Sequence, residues 1–354
     1  MKRKPLAALV GALIVALAFA GCTSDEVETA PPVVEPTPDP EPEPTPDPEP
    51  EPEPEPPPIV YPLTGVPVDE VPQVPTVAVK IENTAASRPQ IGLEFADLVW
   101  ETVVEGGVTR FIAFYHSQFP EQVGPVRSVR PQDGAIVAPF NGVFAYSGGQ
   151  PAFLAIIDEL GVQSVTQDRG SPGFHRLAGR RAPHNLMLNL ESALNQANDT
   201  RTVPPPNAFD FAREVGGGTA VTDGRSVEQV AINLSRGQRT VWDWDAESGT
   251  FLRSDGTRPS VSDTGARHAA RNVVIVESET RTSLADRNVP ETFLPGTGRA
   301  VVATGGRVVE GTWTQLAHHD VLVLTTPAGE RLLLDPGQTW VHSVPVSSGS
   351  WELN

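Results

Sequence analysis

From Pro31 to Pro58 the chain is mostly Pro, Glu, Asp and Thr, with a Glu-Pro-rich run from Glu41 to Pro56. Such a segment has too little apolar surface to offset the entropy of ordering it, so any packed structure must lie beyond it. Between Thr23 and Pro58 there are 12 Asp and Glu and no Lys or Arg, which accounts for most of the formal net charge of −18. The remaining chain is only mildly acidic, and nucleic acid is an unsuitable partner for it. Proline favours polyproline II and the carboxylates repel one another. Residues 23–58 are therefore expected to form a disordered acidic spacer, and the stretch from Thr23 to Val60 would reach at most about 120 Å.

What precedes the spacer suggests why one is needed. A basic start, Met1-Lys-Arg-Lys4, leads into an apolar run from Leu6 to Ala20 and then Gly21-Cys22, the only cysteine of the chain. The run matches a signal-peptide core and falls short of the roughly 20 residues of a spanning helix. Ala20-Gly-Cys22 resembles the lipobox of bacterial lipoproteins, with Phe19 where that pattern prefers Leu. Residues 1–22 are expected to be a lipoprotein signal peptide, with Cys22 the lipidation site. With no second cysteine to pair with, Cys22 is most simply an acylation site. Two or three acyl chains hold a protein on a membrane where one does not. The predicted location is the extracytoplasmic face of the cell membrane.

The rest of the chain is predicted to be α+β. A mixed α/β N-terminal domain over residues 59–205 is followed by a linker over 206–226, marked by Thr202-Val-Pro-Pro-Pro-Asn207 and Gly216-Gly-Gly218. A smaller, mostly antiparallel β-rich C-terminal domain covers 227–346, and 347–354 are a tail. In the first half Thr76–Ile81 reads as a strand, and Asp97–Glu105, Gly106-Gly107 and Val108–Tyr115 read as a hairpin with a two-residue loop. That register opposes Val103 to Arg110 and brings Glu101, Glu105 and Arg110 to one face. Helices are expected at Asp133–Phe140 and Pro151–Leu160, with a strand at Gly142–Tyr146 between them. In the second half, eight short β-type runs between Val227 and Asp335 are separated by Gly, Pro and Asp turns.

A set of motifs in fixed order carries a family resemblance. Pro89-Gln-Ile-Gly-Leu93, Ala96-Asp97, Glu101, Val104-Glu-Gly-Gly107, Thr109-Arg-Phe111, Val123-Gly-Pro-Val-Arg-Ser128, Tyr146-Ser-Gly-Gly149 and Ala182-Pro-His-Asn-Leu186 resemble the YerB-like family of bacterial lipoproteins, DUF3048. Gly311-Thr-Trp313 and Asp335-Pro-Gly-Gln-Thr-Trp340 resemble its C-terminal domain. The resemblance spans nearly all of residues 61–346. It implies a two-part α/β envelope lipoprotein and supplies no reaction.

The chemistry has to be sought in residue types and spacing. Glu101 and Glu105 with Arg110 form either a structural ion network or a carboxylate pair of the kind used on glycosidic bonds. Arg127 and Arg130, followed by Arg169, His175, Arg176, Arg180, Arg181 and His184, make a local basic excess suited to carboxylate or phosphate. Ser147 after Tyr146 lies in a Ser-Gly-Gly strand end, where His184 is a conceivable base, although Gly-x-Ser-x-Gly is not formed. The residues show no metal-ligand spacing, no dinucleotide loop and no Walker loop, so neither metal nor cofactor is predicted.

The favoured reading is a non-catalytic binding or scaffold protein. Its polar groove of Glu101, Glu105, Arg110, Arg127, Arg130, Tyr146, Ser147 and His184 would recognise an anionic wall polymer or an envelope protein. The alternatives are a cell-envelope glycan hydrolase using Glu101 and Glu105, and a transporter solute-binding lipoprotein, which would need two similar lobes.

Overall fold

The computed structural model describes residues 58–354, which form a single unit. The signal peptide, Cys22 and almost all of the spacer lie outside the described residues.

Five strands of the first half enter the large sheet: β1 (Val77–Glu82), β2 (Leu98–Val103), β3 (Thr109–Tyr115), β4 (Val143–Tyr146) and β5 (Gln163–Thr166). The second half contributes β6 (Gln229–Ser235), β7 (Gln238–Asp245), β8 (Thr250–Asp255), β9 (Asn272–Ser278), β10 (Gly296–Thr304), β11 (Arg307–Gln315), β12 (Val323–Thr325), β13 (Thr339–Pro345) and β14 (Ser350–Leu353). Four helices punctuate them: α1 (Asp133–Val137), α2 (Pro151–Glu159), α3 (Leu190–Leu194) and α4 (Thr219–Asp223). Pro151 opens α2 at its first turn, where a missing N–H costs nothing.

One large mixed sheet runs in the order β12-β11-β10-β9-β13-β2-β3-β1-β4-β5. Its centre is the junction of β13 with β2, a parallel pair that opposes Thr339 to Leu98 and His342 to Glu101. The two halves of the sequence thus share a sheet and are not joined by a loose linker. Within 206–226, Phe209 and Ala220 are buried, Ala212 N donates to Leu334 O, and the amides of Gly216 and Gly218 donate to the Asp335 carboxylate. The expected tail is not free either, since β14 pairs antiparallel with β6. Conversely, the expected strand at Arg331–Asp335 is reduced to single bridges, Thr325 to Arg331 and Phe211 to Leu334.

A second sheet, antiparallel throughout, orders β8-β7-β6-β14 and covers one face of the large sheet. Period-two alternation sorts β1 between two cores. Val77, Val79 and Ile81 join Val230, Ile232, Trp242 and Phe251 of the second sheet. Ala78 points the other way, with Ile112 and Phe114, to a layer built from α1, α2 and Phe209.

The β2–β3 hairpin departs from the expected register by one residue. Val103 opposes Thr109 and Thr102 opposes Arg110, because the loop is three residues long, Glu105–Gly107, with Gly106 and Gly107 both left-handed (φ 73° and 70°). Val104 N donates to Val108 O to close it. A one-residue slip exchanges faces, so Glu101 and Arg110 point to opposite sides of the sheet.

Candidate functional site

Glu101, on β2, faces the second sheet and is wholly buried. Its Oε1 accepts hydrogen bonds from Thr109 Oγ1 (2.6 Å) and Asn83 Nδ2 (3.1 Å), and its Oε2 lies 3.0 Å from His342 Nδ1 on β13. Arg253, reaching from β8, places Nη2 3.6 Å from Oε1 while its guanidinium stacks over Phe111 and Trp340. Trp242 donates Nε1–H to His342 Nε2 at 3.0 Å. Indole nitrogen can only donate, so the His342 proton sits on Nδ1, facing the carboxylate. Burial holds the His342 pKa down and the ring neutral. Burial alone would raise the Glu101 carboxyl, but Arg253, His342 and Thr109 outweigh it and hold it down to about 2. Strands from both sheets therefore meet on one fully buried anion.

Glu105 sits in the hairpin loop, where only Arg110 of the expected partners reaches it (3.7 Å). Arg130 clamps it in a bidentate pair, with Nε to Oε2 at 2.6 Å and Nη2 to Oε1. The two carboxylates expected on one face are thus separated by the sheet itself and do not form the pair that a hydrolase using Glu101 and Glu105 would need. Nor do the described residues form the two lobes of a solute-binding protein.

A contiguous polar patch does assemble on the helix-side face, at the C-terminal ends of the parallel strands β1 and β4. The segment Val126–Arg130 lies across these ends: Arg127 N donates to Lys80 O, Ser147 N to Arg127 O, and Val129 N to Gly148 O. Arg110 Nη1 donates to Ser128 O at 2.7 Å, and the hydroxyls of Ser128 and Ser147 meet at 3.1 Å. Beneath them Lys80 Nζ contacts Asp133 Oδ1 at 2.7 Å, both side chains fully buried, while Arg130 N donates to Asp133 Oδ2. Glu82, buried, accepts from Thr84 Oγ1 (2.7 Å), and its Oε1 lies 2.9 Å from His184 Nδ1.

Cations are crowded here. Burial, assisted by Arg130, holds the Arg110 guanidinium down to about 10. Burial lowers Lys80 to about 8, against the pull of Asp133 and with a push from Arg110 and Arg130. Arg127 is the least committed of the four. Among the described residues its guanidinium donates no hydrogen bond, its Nε is 3.6 Å from Glu82 Oε2, and its side chain is 23% exposed.

Of the expected groove, Glu105, Arg110, Arg127, Arg130, Ser147 and His184 come together. Glu101 lies behind the sheet, and Tyr146 turns away to donate to Ser164 Oγ (2.7 Å) beneath α2. The sequence reading missed Lys80 and Glu82. The signal was present, because a lysine at the centre of the apolar strand Thr76–Ile81 demands a buried partner, and Glu82 shares its face by alternation.

With this geometry established, comparison with known proteins places the chain. The family described as "Protein of unknown function (DUF3048) N-terminal domain" matches residues 63–203, and the DUF3048 C-terminal domain matches residues 230–341. A Bacillus subtilis (strain 168) protein, YerB, named as a lipoprotein, is 28% identical over 296 residues, covering 80% of this chain and 86% of its own length. The crystal structure of YerB from Bacillus subtilis superposes with a TM-score of 0.72 at 25% identity, over 83% of this chain and 99% of that one.

Proposed function

The chain belongs to the DUF3048 family, and from that premise we propose that it is a lipid-anchored protein on the extracytoplasmic face of the cell membrane whose folded unit binds an anionic polymer of the cell envelope without catalysis. Two observations support the anchor: the Ala20-Gly-Cys22 motif and the lipoprotein name of the relative YerB. The binding reading is carried by one observation, the surface guanidinium of Arg127 with no hydrogen bond of its own beside three further cations. A planar fork with free N–H groups matches phosphate or carboxylate oxygens, and an incoming anion would relieve the repulsion that adds to the effect of burial on Lys80 and Arg110.

Cys22→Ala is expected to move the protein from the membrane to the soluble fraction, read by fractionation of cells expressing either form. A protein that stays on the membrane in the variant contradicts the anchor. For the patch, titration calorimetry of the purified full chain with a soluble poly(glycerol phosphate) is expected to give salt-dependent binding. Arg127→Gln should weaken it about tenfold, the scale of one charge-assisted contact. Equal affinities for both proteins would reject the patch as the site.

A further inference from the structure

A large concavity lies well away from the patch. It is a cleft of about 680 Å³ at the opposite ends of β2 and β13, where the two halves of the chain meet. That volume falls within the range of sites for small ligands. Its charged groups are of both signs: Asp97 is taken up by Ser117 and the His116 amide, whereas Glu94, Arg267 and Arg271 do not pair with one another. Glu94 contributes a carboxylate whose Oε2 is buried and accepts no hydrogen bond from the protein. Arg271 donates through Nη1 alone, to Gly249 O, and Arg267, whose Nη2 donates to Arg253 O and Ser254 Oγ, keeps a buried Nε without an acceptor. Among the described residues no ion pair involves Glu94, Arg267 or Arg271. Three of the exposed large apolar side chains also converge here: Phe95 (42%), Val66 (37%) and Val215 (56%).

A carboxylate and two guanidiniums in one apolar-walled cleft, none of them in an ion pair, are complementary to a ligand carrying an ammonium, a carboxylate and an apolar body. We infer that this cleft binds a short zwitterionic peptide, its carboxylate held by Arg267 and Arg271, its amino group by Glu94, and an apolar side chain against Phe95, Val66 and Val215. The volume favours a peptide of a few residues over a single amino acid. The site is separate from the Arg127 patch, so the two stand or fall independently.

The test is titration calorimetry of the full chain with Ala-Leu-Ala, its N-acetyl form and its C-terminal amide. The free peptide is expected to bind, and each cap to weaken binding at least tenfold. Glu94→Gln should weaken the free peptide and leave the N-acetyl form unchanged, and Arg271→Gln should do the same for free peptide against amide. Val215→Ser, at an exposed position that threatens no packing, should weaken all three peptides by a similar factor. Binding of all three peptides with one affinity, or no heat at millimolar free peptide with wild-type protein, would overturn the assignment. So would binding that none of the three variants changes.

Discussion

Glu101→Ala is expected to destabilise the protein by about 3 kcal/mol, the lower end of the cost of breaking a buried ion pair, since Asp255 still pairs with Arg253. β2, β3, β8 and β13 all converge on Glu101, so its loss leaves Arg253 with Asp255 as its remaining anion and deprives Thr109, Asn83 and His342 of their acceptor. Denaturant unfolding should show the loss as a lower midpoint, whereas a carboxylate kept for catalysis would leave the midpoint where it was. The acid limb provides a second reading of the same group. The folded carboxyl titrates near 2 against 4.5 in the unfolded chain. Its stabilisation is therefore complete above about pH 4.5 and is lost as the pH falls toward 2, in total about 3 kcal/mol. Glu101→Gln should flatten that limb, and an unchanged acid profile in the variant would remove Glu101 from the network.

The other large effect concerns the buried pair of Lys80 and Asp133. Asp133→Ala should cost about 3–5 kcal/mol, because Lys80 is then a fully buried ammonium and Arg130 N loses its acceptor. A double variant, Lys80→Met with Asp133→Ala, should lose less than the sum of the two single variants. Lys80 also sets the sign of an alkaline effect. Its folded pKa is lowered to about 8 from 10.5, so between those values the unfolded chain holds a proton the folded one has released. Stability carried by this group rises with pH across that window, by about 2–3 kcal/mol, and Lys80→Met should abolish the rise. A Lys80→Met profile parallel to wild type would contradict the assignment. Loss of the Asp133 carboxylate without destabilisation would do so as well.

The local elements were legible because local signals decide them. Pro151 after a Gly-Gly pair starts α2, and the β-branched runs bounded by Gly, Asp and Pro became β6 to β11 within a few residues of their expected limits. The α+β class followed from the same reading. What escaped it was long-range. Nothing in the composition of Thr339–Pro345 announces that it will insert beside Leu98–Val103, some 240 residues earlier in the chain, and turn two expected domains into one sheet. Gly216-Gly-Gly218 looks like a linker because its amides are bare, yet the Asp335 carboxylate that fixes them lies more than a hundred residues away.

The site was legible in the same partial way. The basic segment Val126–Arg130 and His184 do gather, since both pack against the end of β1. Glu101 was misplaced by a single extra loop residue, which Gly106-Gly107 permits as readily as the shorter turn. Tyr146 was taken for a groove residue because it precedes Ser-Gly-Gly, but alternation along β4 turns its ring, with that of Phe144, into the helix layer.

The central claim, that the Arg127 patch holds the protein to an anionic wall component, is tested most directly by retention on purified cell-wall sacculi. Wild-type full chain and Arg127→Gln should be compared on sacculi with and without their anionic polymers, and the supernatants assayed for released fragments. The account predicts that wild type is retained only where the anionic polymers remain, that Arg127→Gln is largely washed off, and that no fragments appear. Equal retention of the two proteins, retention on stripped sacculi, or the release of fragments would contradict it.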